Sequence, residues 1–529
     1  MTGRLPGVPM SLLRFLQRAT ACWALVAAAG VAVAQGLPVA GDAPARAALA
    51  ASTALPGGGI PPRTAGDADP ALPAASAAWP GGVALPPHAV EAGVVAVFAI
   101  VYLGMFLGGL PHLKLDRAGV ALLGAIAVIA ITGMTLEQAA QAIDLSTLVL
   151  LFAFMVVSAQ MRLGGFYTAV TWRVGTLPLP RDALLAAVLA VAAALSAVFS
   201  NDVVCLAMTP VVAQLCLRRR LDPLPFLVGL ACAANIGSAA TLIGNPQNML
   251  IGSMLRLPFA PYVAAAWVPV AASLVLLWAW LALLPRLRGR LSPAPAGHAP
   301  ATAPELTRPL RGPGGTPPSA GPADPPGAPA DDPPFDPLQS AKGLLVSAAL
   351  LVVFLFTDWP REVAALIGAG VLLLSRRLHS AQVMGYVDWQ LLLLFAGLFI
   401  VNHAFQATGL SAHAVGWLAG QGVHLDQPAT LLVAGAALSN LVSNVPAVML
   451  LLPYVGAAGP DAGVLLALAS TFAGNLLLVG SIANLIVVDL AEKAGIRIDW
   501  KRHAAIGVPV TLLSLAVLWA YWTGARVAG

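Results

Sequence analysis

The strongest constraint on this chain is a succession of long apolar segments interrupted at matching places by polar, helix-breaking motifs. Before a central break they fall at 92–110, 118–133, 145–161, 182–199, 203–217, 224–256 and 261–284. After it they fall at 341–357, 361–375, 388–404, 428–442, 446–457, 463–493 and 503–524. A helix crosses a hydrocarbon core of about 30 Å with roughly 20 apolar residues, and many of these segments approach that length. Lipid offers no partner for a free backbone N–H or C=O, so helices must satisfy their own. The chain is expected to be an all-α polytopic membrane protein.

Composition agrees. Hydrophobic residues make up 59% and charged residues 10% of the chain, where a soluble domain carries about 25% charged residues. The net charge of +5 does not indicate nucleic acid, because the basic residues sit in short loops and orient the chain in the bilayer. Of Cys22, Cys205, Cys216 and Cys232, three lie inside apolar segments, with no CxxC or zinc-ligand spacing; they read as small core residues. No HExxH, no Ser/His pair at matched depth, no histidine-aspartate cluster and no GxxxxGK[ST] loop is found, which argues against a membrane-embedded enzyme or a nucleotide-driven pump. No cofactor is expected.

Residues 1–35 carry Arg4, Arg14 and Arg18 ahead of an apolar run from Ala21 to Ala34. That pattern fits a signal peptide, the alternative being an uncleaved N-terminal hydrophobic segment. Residues 36–88 and 287–340 are dominated by Ala, Pro and Gly and should form a disordered tail and a disordered cytoplasmic linker. Between and beyond them lie a first repeat, 89–286, and a second, 341–529.

The halves match internally. Asp144 precedes one long apolar helix and Asp388 another; Ser200-Asn201 and Ser443-Asn444 follow them by 56 and 55 residues. Gly244-Asn245-Pro246-Gln247-Asn248 then corresponds to Gly480-Ser481-Ile482-Ala483-Asn484, a shared Gly-x-x-x-Asn. Basic loops, including Arg218 to Arg220, Arg286, Arg376, Arg377 and Lys493, share one side under a single threading, and that side is cytoplasmic. Five crossings per half make the second repeat inverted relative to the first, with residues 182–217 and 428–457 forming a re-entrant helical hairpin in each. Two full crossings would preserve the same parity; the second arm, about 15 residues or about 22 Å, favours re-entrance.

Polar residues between apolar stretches are costly in lipid and mark functional sites. Ser200, Asn201 and Asp202 lie at one hairpin tip and Ser443 and Asn444 at the other, where unpaired helix N-terminal N–H groups favour an anion. Gly244, Asn245 and Asn248 mark a broken helix, since Pro246 removes a donor and disfavours helix before it. Gly474-Asn475 with Gly480, Ser481 and Asn484 mark its counterpart, the two glycines permitting unusual backbone angles. Freed carbonyls and amides there can hold a cation or a polar substrate. Asp202 can carry a proton or hold a cation. Asp144 and Asp388 read as N-terminal caps, and Asn402 and His403 as an interfacial cap near a helix end, the alternative being a proton relay.

At these residues the sequence resembles the ion transporter superfamily, which includes divalent-anion/sodium symporters, citrate carriers and arsenite-permease-like proteins. The resemblance covers residues 90–525. It implies sodium at Ser200, Asn201 and Gly244 and again at Ser443, Asn444 and Gly480, with elevator-like movement in a homodimer. Asp202 and Val445 stand where the dicarboxylate branch has threonine, and Asn-Asp followed by Gly-Asn-Pro-Gln-Asn is closer to the arsenite-permease-like anion permeases. The expected function is secondary active transport of a small anion across a bacterial inner membrane, coupled to sodium or protons. A cation/proton antiporter using Asp202 is the alternative.

Overall fold

The structure is a computed structural model that describes residues 86–110, 113–291, 335–375, 377–456 and 461–528, the side chains of 285–291 and 525–528 excepted. The expected signal segment, nearly all of the tail and most of the linker lie outside the described residues.

Among the described residues, ten α-helices precede the linker: α1 Pro87–Leu107, α2 Arg117–Thr132, α3 Leu136–Gln141, α4 Leu145–Leu163, α5 Phe166–Thr176, α6 Arg181–Val198, α7 Asn201–Arg218, α8 Pro223–Ser238, α9 Pro246–Met254 and α10 Phe259–Leu291. Ten follow it: α11 Pro337–Phe356, α12 Arg361–Leu373, α13 Ser380–Met384, α14 Trp389–Ala407, α15 Leu410–Gly420, α16 Pro428–Val442, α17 Asn444–Val455, α18 Ala462–Ala473, α19 Ile482–Lys493 and α20 Trp500–Ala528. Each element of the first series has its counterpart ten places later. Among the described residues, seven helices are long and apolar enough to cross a membrane. The fold is all-α and multi-pass, two inverted repeats each with a re-entrant hairpin and a broken helix.

Local sequence accounts for many helix starts. Pro occupies the first turn of α1, α8, α11 and α16, where its missing N–H has no helical partner to lose. Thr135 and Gln138 form a capping box on α3. Asp388 caps α14 as expected, accepting from Leu391 N at 2.9 Å. The Asp144 carboxylate instead accepts from the hydroxyls of Thr147 and Ser253 and from no backbone N–H of its helix. Helices α10 and α11 extend into the expected linker at both ends, to Leu291 and from Pro337.

The first hairpin's second arm is longer than its apolar core suggests. Helix α7 has 18 residues, about 27 Å, because Asn201, Asp202 and Arg218 belong to the helix although they are not apolar. The second hairpin is shorter, with arms of 15 and 12 residues.

The described chain divides into two compact units. One holds α1, α2, α3, α14 from Leu393 and most of α15. Its helices approach closely at glycines: a Cβ on Gly124 would lie 2.2 Å from Val101, and one on Gly397 2.7 Å from the Ala121 carbonyl. Asn402, expected as an interfacial cap, is buried here and accepts from Tyr102 Oη at 2.9 Å. His403 is exposed.

The other unit holds the remaining helices, with α4 packed on α11 and α12. There Gln160 donates to Gln339 at 2.6 Å, and Ser340 to the Gly164 carbonyl at 3.0 Å. At its centre α8 is buried at every residue after Pro223, and α18 at all twelve of its positions. Helices apolar on all sides are interior helices. These two lead into the two breaks, so every polar residue on them faces protein.

Candidate functional site

Helix α8 ends at Ser238 and α9 begins at Pro246; α18 ends at Ala473 and α19 begins at Ile482 after a short 3₁₀ turn at Leu478–Gly480. A single shift of 236 residues carries Asn235 onto Thr471, Ser238 onto Gly474, Gly244 onto Gly480, Asn245 onto Ser481 and Asn248 onto Asn484.

The breaks are stapled alike. Asn248 Nδ2 donates to the Thr241 carbonyl at 3.0 Å and the Ser238 carbonyl at 3.5 Å. Asn484 Nδ2 donates to the carbonyls of Leu477 and Gly474, the shifted equivalents, at 3.1 and 2.9 Å. A side-chain amide thus takes up carbonyls freed where the helix stops, which a buried backbone group requires. At Asn245 the side chain also caps α9 through Asn248 N, at 2.9 Å.

Each break is also held by the opposite repeat. Asn235 on α8 accepts from Ser481 Oγ at 3.0 Å and donates to the Oδ1 atoms of Asn475 and Asn484 at 2.9 and 3.4 Å. Thr471, its counterpart on α18, accepts from Asn245 and Gln247 at 3.4 and 3.2 Å and donates to Asn248 Oδ1 at 3.5 Å. Ser238 joins the two clusters, donating to the Asn235 carbonyl at 2.8 Å and accepting from Asn245 at 2.9 Å. One polar network therefore runs through both breaks.

The hairpin tips enter it unequally. Asn201 donates from Nδ2 to Asn235 Oδ1 at 3.0 Å, and its backbone N–H donates to the Gly244 carbonyl at 3.3 Å. Gly244 is required by this crowding, since a Cβ would lie 2.2 Å from the Ser238 carbonyl oxygen and 2.7 Å from that of Ser196. At the second tip Ser443 alone separates α16 from α17, with φ 78° and ψ 158°, a region nearly restricted to glycine. Asn444 lies beside the second break, its Nδ2 3.2 Å from where a Cβ on Gly474 would stand. A Cβ on Gly480 would lie 2.8 Å from Asn440 Oδ1.

Neither Ser200 nor Ser443 caps its helix through its side chain. Among the described residues, Asn201 Oδ1, Asn440 Oδ1, Asn444 Oδ1 and Asn475 Nδ2 are buried without a hydrogen-bond partner. Buried amides are normally satisfied, so four such atoms around two helix breaks mark a place suited to a polar guest. Three are oxygens, and oxygen donors suit a hard cation such as sodium. Asp202 lies in the first turn of α7, half-buried, outside the amide network.

The structure thus brings Asn201, Gly244, Asn245, Asn248, Asn475, Ser481 and Asn484 together, and sets Asn444 and Gly480 against the second break. Sequence reasoning missed Asn235, Ser238, Thr471 and Asn440. The register offered a signal for the first three: six and nine residues before the Gly-x-x-x-Asn motifs, the 236-residue shift pairs Ser238 with Gly474 and polar Asn235 with polar Thr471 inside apolar stretches.

Residues 94–473 match the citrate transporter family, CitMHS. A silicon efflux transporter of Oryza sativa subsp. japonica is 30% identical over 479 residues, 81% of this chain and 96% of the relative. The inner membrane protein YbiR of Escherichia coli is 30% identical over 383 residues, 71% of this chain and 87% of its own length. An uncharacterized transporter of Mycobacterium bovis is 28% identical over 437 residues, covering 77% and 93% of the two chains. These relatives bear out the resemblance to the ion transporter superfamily and identify a transporter rather than an enzyme. With a match over most of its length, two inverted repeats and paired helix breaks, the chain belongs to the citrate transporter family.

Proposed function

We propose that the protein is a secondary active transporter that moves a small anion across a bacterial inner membrane, coupled to sodium or protons. The observation that carries this reading is the convergence of unpaired amide oxygens, Asn201 Oδ1 and Asn444 Oδ1, on two broken helices joined by one buried network. Coupling cations are proposed at Ser200, Asn201 and Gly244 and at Ser443, Asn444 and Gly480. The anion lies between them, facing the N-termini of α7 and α17 and the unpaired Nδ2 of Asn475. Helix N-termini supply N–H donors and a favourable dipole for negative charge, and a nearby cation strengthens that attraction where water is excluded.

Two relatives' names bear on the finer points. The Escherichia coli protein is named for the inner membrane, which supports that location here. The rice relative is named for silicon efflux, and the mixed donors and acceptors of the amide network also suit an oxyacid rich in hydroxyls. Uptake into proteoliposomes across a panel of carboxylates, inorganic oxyanions, arsenite and silicic acid, with sodium and pH gradients imposed separately, tests the reading. Uptake of one class driven by one gradient is expected. Transport indifferent to both gradients would remove coupling from the proposal.

The second reading, a cation/proton antiporter, rests on Asp202 in the first turn of α7. Asp202→Asn distinguishes the two: it abolishes antiport, whereas an anion symporter coupled to sodium retains gradient-driven uptake.

A further inference from the structure

The final helices of the two repeats, α10 and α20, carry different residues at one equivalent position. Tyr262 is the fourth residue of α10 and His503 the fourth of α20. Tyr262 Oη donates to the Ala239 carbonyl at 2.9 Å, and His503 Nε2 lies 3.1 Å from the Asn475 carbonyl oxygen. Ala239 and Asn475 are themselves equivalent under the 236-residue shift, each just past the end of its enclosed helix. Both side chains are buried, at 1% and 2% exposure. A carbonyl only accepts, so a proton resides on Nε2 of His503.

A second position supports the correspondence. An imidazole reaches less far than a phenol, so α20 must approach its carbonyl more closely than α10 does. The eighth residue of α10 is Ala266 and that of α20 is Gly507. A Cβ on Gly507 would stand 2.2 Å from the Asn475 carbonyl oxygen and 3.0 Å from His503 Nε2. The shorter side chain and the missing methyl occur together, on one face two turns into the helix.

We propose that His503 is a positioning residue for the second broken helix, fixing Asn475 through its carbonyl as Tyr262 fixes Ala239 in the first repeat. Asn475 is then held at two points: its carbonyl by His503, and its Oδ1 by Asn235 Nδ2 at 2.9 Å. Its Nδ2, buried and without a partner, is thereby aimed in one direction. The inference rests on the transport reading for what that amide meets, but not for the bond itself.

Hydrogen exchange on the full chain in nanodiscs, paired with proteoliposome uptake, tests it with His503→Leu and His503→Gln. In His503→Leu, amides of residues 474–484 exchange about tenfold faster while those of 238–248 keep their rates, since a lost local bond opens the segment it held. Apparent substrate affinity falls about fivefold with maximal rate less affected, as expected when binding geometry rather than folding is lost. Gln, which supplies an N–H donor at similar reach, restores both. If His503→Leu does not fold, His503→Gln carries the test: exchange at 474–484 and apparent affinity like those of the unaltered protein are expected, and exchange there about tenfold faster would overturn the proposal. Unchanged exchange at 474–484 in His503→Leu overturns it as well, and faster exchange with unaltered affinity reduces His503 to a structural contact. Absence of uptake by the unaltered protein sinks the transport reading instead, leaving exchange to decide the His503 bond.

Discussion

Asn235 donates its side-chain N–H to Oδ1 of Asn475, 240 residues later in the chain, at 2.9 Å. The same amide accepts from Asn201 and Ser481, both at 3.0 Å, so one side chain on α8 ties a hairpin tip of the first repeat to the break of the second. A buried amide with both its atoms engaged is costly to remove, because each partner loses its bond without regaining water.

Asn235→Ala is therefore expected to destabilise the protein by about 3 kcal/mol or more, the range for leaving several buried polar groups unpaired. Asn235→Asp keeps the acceptor for Asn201 and Ser481 but loses the donor to Asn475. Thermal melting in detergent should rank them unaltered, then Asp, then Ala, at a pH where the Asp variant is tested both above and below neutrality. Equal melting of all three would show that the network contributes nothing to stability.

The two glycines that the 236-residue shift pairs, Gly244 and Gly480, should differ in tolerance. At Gly244 a methyl meets backbone carbonyls of Ser238 and Ser196, which cannot move without shifting two helices. At Gly480 the nearest obstacle is the Asn440 side chain, which can rotate. Gly244→Ala should cost about 3 kcal/mol or more and Gly480→Ala about 1 kcal/mol, the range for overpacking. The yield of monodisperse protein and its melting temperature measure the difference, and a reversed order would contradict the geometry.

Ser443 stores backbone strain at the second tip, with φ 78°. Ser443→Gly should raise stability by about 1–2 kcal/mol by relieving it, while Ser443→Ala keeps the strain and leaves stability near that of the unaltered protein. If the hydroxyl binds the coupling ion, both variants lose apparent ion affinity in uptake assays. A gain in stability with Ala as well as Gly would rule out strain as the cause.

Asp336, at the start of α11, contributes a pH-dependent term outside the membrane-spanning helix. Burial pushes its carboxyl up, but the N–H groups of Gln339 and Leu338 and the Arg377 guanidinium together outweigh this and hold it below its ordinary value of 3.8. A depressed folded value means that the contribution is present above the unfolded value and is lost as pH falls through the folded one. Asp336→Asn should thus melt lower than the unaltered protein at neutral pH, with the gap narrowing in acid below about pH 4. A gap that stays constant from pH 7 to pH 3 would exclude the carboxylate as its source.

Much of this site was legible in one dimension because the constraint that produced it is local. Pro246 lacks an N–H and disfavours helix at Asn245, and Ser200-Asn201 and Ser443-Asn444 are costly against lipid, so position in sequence alone marked the breaks and the tips. The 236-residue register could have flagged Asn235 and Thr471 as a matched polar pair, but not their partners, because a single polar residue in a buried helix carries no mark of the group it meets. The second arm of the first hairpin was underestimated for a related reason: hydropathy marks apolar length, whereas hydrogen bonding sets helix length.

The sequence by itself determined the solvent of this protein, its repeated order of segments and the points where its helices must break, since each follows from the cost of exposing backbone and polar groups to lipid. Only the tertiary structure decided that each repeat's enclosed helix serves the other repeat's break, that Asn248 and Asn484 staple carbonyls, and that Tyr262 and His503 reach equivalent ones. Those pairings depend on which buried donor meets which acceptor in space, and packing, not order along the chain, sets that.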